Sequence, residues 1–86
     1  MITIELFGVP RLRAGRDALE VEATSLGEAL TALGAACPAL AGAVVHEGRL
    51  RSHYLVALNG RQFTADPGTP LAPGDVLVLL SADAGG

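Results

Sequence analysis

Lysine and tryptophan are missing from the 86 residues, and cysteine and methionine occur once each. Without lysine there is no side-chain amine for Schiff-base chemistry and no side-chain acceptor for an isopeptide bond. The N-terminus is left as the one primary amine. A single cysteine, Cys37, excludes an internal disulfide framework. Basic charge is scarce as well: six arginines against nine acids give a net charge of −3. With little aromatic surface for stacking, such a chain is poorly equipped to grip a phosphate backbone, so no nucleic-acid partner is expected. The three aromatics are Phe7, Tyr54 and Phe63, which makes the expected core aliphatic. The longest apolar runs are five residues, too short to cross a bilayer. The opening MITIELFGVP lacks the basic and apolar regions of a signal peptide. A cytoplasmic protein with no membrane partner is the expectation.

What is present is enough for one modest globular domain. Half the residues are hydrophobic and 17% are charged, and a chain of this length buries roughly 60% of its unfolded surface. Residues 1–7 alternate Ile2, Ile4 and Leu6 with Thr3, Glu5 and Phe7, the period of two that predicts a half-buried strand. Phe7 is then placed outward, beside Thr3 and Glu5. Gly8-Val9-Pro10 reads as a break, followed by a polar loop bearing Arg11, Arg13 and Arg16 to about Asp17. Leu19, Val21 and Ala23 alternate with Glu20 and Glu22 in a second strand, so the two form an opening hairpin. Ser25 and Glu28 have the spacing of a reciprocal capping box, and Leu26, Ala29, Leu30 and Leu33 follow at helical spacing. Gly34 and Pro38 are expected to end that helix.

Residues 38–53 show no sustained period and read as irregular, with a short helical turn near residues 39–44. Residues 54–58 form a strand closed by Asn59-Gly60, a hairpin signal because a type I′ turn needs positive φ at both positions. Residues 61–64 return as a short strand, and turns at Asp66-Pro67-Gly68 and Pro73-Gly74-Asp75 flank Leu71. Residues 76–81 are a nearly continuous apolar run, suited to a central strand. The order of elements predicts an α+β, ubiquitin-like β-grasp fold. In it the first and last strands lie parallel in one mixed sheet wrapped on one main helix. Residues 1–81 make the domain and residues 82–86 a patternless, flexible tail ending in Gly-Gly.

Candidate chemistry is sparse. His46, His53 and Cys37 lack the pairwise spacing of zinc ligands, so no metal is expected. No nucleophile elbow or phosphate-binding loop is present, and the chain reads as carrying no catalytic side chains of its own. The loop arginines read as solvated, with an acidic partner as the alternative. Period two sets Val76, Val78 and Leu80 on one face of the last strand and Leu77 and Leu79 on the other. One small core cannot take both sets, so a loop covers the second face or it serves as a protein interface. The sharpest feature is the closing pair Gly85-Gly86, preceded by Ala84. Two glycines lack Cβ and let a narrow tunnel in a partner close on the backbone. Five to six extended residues reach about 17–20 Å, far enough to carry a terminal carboxylate into another active site.

The opening strand, Glu47-Gly48-Arg49-Leu50, the Asn59-Gly60 hairpin, Thr69-Pro70-Leu71 followed by Pro73-Gly74-Asp75-Val76, and the terminal Gly85-Gly86 together resemble the MoaD/ThiS-type sulfur carriers. The resemblance spans nearly the whole chain. Many relatives carry Pro-Pro or Pro-Ala where this chain has Ser81-Ala82. The resemblance implies a carrier whose Gly86 carboxylate is adenylated by an E1-like enzyme using that enzyme's ATP and Mg²⁺, with no cofactor bound permanently. A sulfurtransferase or other persulfide source then makes a thiocarboxylate, which passes sulfur to an acceptor enzyme such as the large subunit of molybdopterin synthase. It further implies recognition of the tail through Ala84 and Gly85, and partner contacts at Phe7, Val78 and Leu80. The favoured role is the small subunit of molybdopterin synthase in molybdenum cofactor biosynthesis. The alternatives are a carrier for cysteine, thiamin or a specialised metabolite, a ubiquitin-like modifier, or a β-grasp binding module.

Overall fold

A computed structural model describes residues 1–81; the expected tail, residues 82–86, lies outside the described residues. The strands are β1 (Ile2–Leu6), β2 (Ala18–Val21), β3 (Val45–His46), β4 (Arg49–Leu50), β5 (Tyr54–Leu58), β6 (Gln62–Thr64) and β7 (Val76–Ser81). Helix α1 is Val9–Ala14, helix α2 is Leu26–Ala36, and Pro38–Leu40 is a 3-10 turn. One five-stranded sheet runs in the order β2-β1-β7-β5-β6. β1 and β7 are parallel, with Thr3 level with Val76 and Leu6 with Leu79, and the other pairs are antiparallel. This is the mixed sheet expected from the order of elements.

The alternation in β1 sends Ile2, Ile4 and Leu6 inward against Leu26, Ala29, Leu30 and Leu33 of α2, and all seven are buried. Leu77, Leu79 and Val56 complete the sheet side of that core. Each large aliphatic chain so buried contributes about 1.5–3 kcal/mol relative to exposure. Among the described residues no helix is long and apolar enough to cross a membrane.

The start of α2 departs in part from the expected capping box. The Glu28 N–H does donate to Ser25 Oγ at 3.2 Å. The Glu28 carboxylate, however, accepts from the Thr24 N–H at 2.7 Å and the Thr24 hydroxyl at 2.8 Å. Thr24 offers two donors to one oxygen, where the Ser25 backbone offers one. These bonds hold the Glu28 carboxyl below its ordinary pKa, the backbone N–H contributing most. Nor does Gly34 end the helix, which runs on to Ala36 before Pro38. A Cβ at Gly34 would stand 3.2 Å from Val45 Cγ2, so the glycine admits β3 against the helix.

Two segments that read as loops carry structure. Residues 9–14 are helical: Pro10 sits in the first turn, where a missing N–H costs nothing, and Gly15 closes the helix in the left-handed region. The Gly8-Val9-Pro10 break is thus a helix start. Residues 45–50 form a β-hairpin, with Glu47 at φ 51° and Gly48 at φ 73° between paired strands. Gly48 is required twice over, since a Cβ there would also lie 3.2 Å from the Gly27 carbonyl oxygen.

Asn59 and Gly60 both have positive φ, and the Arg61 N–H donates to the Leu58 carbonyl at 3.1 Å, as the hairpin signal requires. Asn59 does more than turn the chain. Its N–H donates to the Val76 carbonyl and its Oδ1 accepts from the Val76 N–H, each at 2.8 Å. Its amide also donates to Asp75 at 3.0 Å, while the other Asp75 oxygen accepts the Ala72 N–H at 2.8 Å. The β5–β6 turn is therefore bolted to the start of β7, which fixes the direction in which that strand sets out.

Candidate functional site

β7 is the central strand and ends at Ser81, at the pole of the sheet where β1 also ends and α1 begins. Its inner residues Leu77 and Leu79 are wholly buried, while Val76, Val78 and Leu80 are only partly covered. Register extends this outer row across the neighbours. Val78 is level with Glu5 of β1 and with Ala57 of β5, and Ala57 is level with Phe63 of β6. Leu80 is level with Leu55, and the Phe7 N–H donates to the Leu79 carbonyl at 3.1 Å, which sets Phe7 beside Leu80. Phe7 is 48% exposed and Phe63 70%.

The outer face is divided by chemistry. Its β7-β5-β6 half presents Val76, Val78, Leu80, Leu55 and Phe63. Its β1-β2 half presents Thr3 and Glu5, with Glu20 level with Thr3. No loop covers the apolar half among the described residues to the extent of burying Phe7 or Phe63. Phe7, Val78 and Leu80 are thus brought together on one exposed face. Ala84, Gly85 and Gly86 lie outside the described residues. Leu55 and Phe63 belong to the same face and are not among the residues singled out from sequence. Counting on from the Asn59-Gly60 turn is the signal that puts Phe63 across from Ala57.

The other candidates are dispersed. Cys37 is buried at the end of α2. His46 on β3 lies 3.7 Å from Glu47, and His53 stands in a turn at φ 77°. Among the described residues no three His, Cys, Asp or Glu side chains come together as a metal site. Arg11 pairs with Asp17 at 3.1 Å, and Arg16 Nε donates to the Ala18 carbonyl at 3.3 Å. Both brace the approach from α1 to β2. Asp75 has its carboxyl held below the ordinary range, first by the Ala72 N–H and then by the Asn59 amide, and it serves the turn.

The ThiS family model matches residues 4–86, nearly the whole chain and including the terminal glycines. The chain belongs to the ThiS family. Comparison with curated proteins gives no match. Among solved structures, SAMP1 from Haloferax volcanii is 34% identical with a TM-score of 0.83, covering 99% of this chain and 98% of that one. A chain of the Amycolatopsis orientalis BexX/CysO complex is 19% identical with a TM-score of 0.76 and full coverage of both. A putative molybdopterin converting factor, subunit 1, from Pyrococcus furiosus is 20% identical with a TM-score of 0.70, covering 93% of this chain and 94% of that one. The last two establish the fold, which is the ubiquitin-like β-grasp.

Proposed function

We propose that this chain is a sulfur carrier, with Gly86 as the atom-bearing end and the domain as its handle. The observation that carries the reading is the family match running through Gly86. The Gly86 carboxylate attacks the α-phosphorus of ATP in an E1-like enzyme, and pyrophosphate leaves. The terminal sulfur of a persulfide then attacks the acyl-adenylate carbonyl, and AMP leaves. A thiol cleaves the resulting acyl disulfide, releasing the thiocarboxylate and a new disulfide. The chain is a co-substrate in these steps; ATP and Mg²⁺ belong to the activating enzyme. Gly85 and Ala84 present no bulk to a narrow entry channel, and the Phe7, Val78 and Leu80 face docks the partner. The acceptor proposed is the large subunit of a molybdopterin synthase, consistent with the likeness of fold to the Pyrococcus furiosus converting-factor subunit.

A second reading has its own support, because the 34% identical relative is named a small archaeal modifier protein. A modifier shares the adenylation step, but a target amine displaces AMP and leaves an amide. One experiment separates the two. The chain is incubated with an E1-like enzyme, Mg-ATP and a sulfur source, and its intact mass is measured. Replacement of one oxygen by sulfur, mapped to the Gly86 peptide, is the expected result. Deleting Gly86 abolishes it and leaves the melting temperature of the domain unchanged. Attachment of Gly86 to a target amine with no thiocarboxylate would establish the modifier instead, and no change of mass with a competent enzyme would overturn both.

A further inference from the structure

Ser81 lies on the lip of a groove of about 470 Å³ whose lining includes Val9, Ala43, Arg51, Ser52 and His53. Three features say what fits it. The first is register: the antiparallel β5–β7 pairing steps from Leu58 with Leu77 to Tyr54 with Ser81. On the β5 side the positions next to that last pair are His53 and Ser52, both of which line the groove. His53, at φ 77°, stands just before β5, and the groove opens beside the Tyr54–Ser81 pair. The second is charge. Among the described residues Arg51 forms no ion pair and no acid lines the groove, and the segment following Ser81 carries Asp83. The third is size and reach. The other four residues of that segment are alanine and glycine, and five residues span at most about 17 Å.

We propose that this groove is a docking site for the chain's own C-terminal segment, residues 82–86, held by the Asp83 carboxylate against the Arg51 guanidinium. Its consequence rests on the carrier reading: an activating enzyme must lift the segment from the groove before Gly86 reaches the nucleotide. The docking itself does not depend on that reading.

Heteronuclear NMR of the full chain tests it. Asp83→Asn is expected to shift the amide resonances of Val9 and Ala43, which are distant from residue 83 in sequence. High salt is expected to move them the same way by screening the pair. Arg51→Glu should move them too, and combining it with Asp83→Arg should restore the wild-type positions. Unmoved Val9 and Ala43 amides in Asp83→Asn would overturn the proposal. Shifts that change on dilution would overturn it in favour of a second copy's segment. In an adenylation assay Asp83→Asn should raise the rate; an unchanged rate alongside the NMR shifts would overturn the regulatory consequence alone. Absence of adenylation in the wild type would count against the carrier reading, while the NMR shifts would still decide the docking.

Discussion

Replacing Phe7 by alanine separates what the outer face does for folding from what it does for binding. Phe7 is 48% exposed, whereas Leu6, its neighbour on the opposite face, is 1% exposed. A phenylalanine offers about 200 Å², so about half of that is covered in the domain. Alanine retains part of the contact, and the net loss of about 70 Å² is worth at most about 2 kcal/mol. Leu6→Ala empties a closed core and costs about 2–5 kcal/mol. In a domain of this size each kcal/mol lowers Tm by about 4–8 °C, so thermal melts rank the two variants directly. Binding should rank them the other way. An aromatic anchor in a desolvated interface contributes about 2 kcal/mol or more, roughly a thirtyfold loss of affinity when truncated. Calorimetric titration of Phe7→Ala into the activating enzyme should show that loss. Leu6→Ala, measured below its melting range, should bind nearly as the wild type does. A Phe7→Ala variant that melts as early as Leu6→Ala, or binds unchanged, would refute the assignment of Phe7 to a partner face.

Gly48→Ala should destabilise by more than about 1 kcal/mol, because a side chain is strained at positive φ and would meet the Gly27 carbonyl at 3.2 Å. Gly42→Ala, at φ 83° with nothing within 4 Å, should cost less in a denaturant titration, and equal costs would deny the close contact. Asn59→Ala should lose about 1–3 kcal/mol through its bonds to Val76 and Asp75. Asn59→Gly relieves the positive φ yet recovers only part of that, as chemical melts would show. The Asp75 and Glu28 carboxyls have depressed pKa values in the fold. Their contribution is therefore complete above the unfolded value of about 4 and lost as pH falls through the folded value. Stability followed into that acid range should fall less steeply in Asp75→Asn than in the wild type.

The elements with a strong period are legible in the sequence, and those defined by their ends are not. Ile2, Ile4 and Leu6 and the α2 stripe from Leu26 to Leu33 repeat often enough to declare type and inner face, while the apolar run Val76–Ser81 declares a strand but not its inner face. Helix α1 spans six residues, under two turns, so it has no stripe to read. Its only marks are Pro10 inside the start and Gly15 past the end, and a proline after a glycine reads as a break until the following cap is weighed. The β3–β4 hairpin has two residues per strand and turns on Glu47-Gly48, where glutamate holds the positive φ more often given to asparagine. Spacing pairs Glu28 with Ser25, yet Thr24, one residue earlier, offers a hydroxyl as well as an N–H and takes the carboxylate. Local spacing names the cap but not which donor wins.

The outer face of the sheet shows the same division between what period gives and what register adds. Alternation puts Phe7 outward just past β1, because the inner set Ile2, Ile4 and Leu6 is unmistakable, whereas in β7 it separates Val78 and Leu80 from Leu77 and Leu79 without telling which set faces in. It does not show that the apolar band runs on to Leu55 and Phe63, since that depends on which strands become neighbours. The consequence is directional. With Glu5 and Glu20 on the β1-β2 side and Phe63 exposed at the β6 edge, a partner seated on β7 gains apolar contact beyond that of Phe7 by extending toward β6. A partner reaching toward β2 instead must bring cations to meet the acids. Ser81 closes the strand that runs between those halves, so the side a partner chooses also sets the side from which it approaches the end of β7.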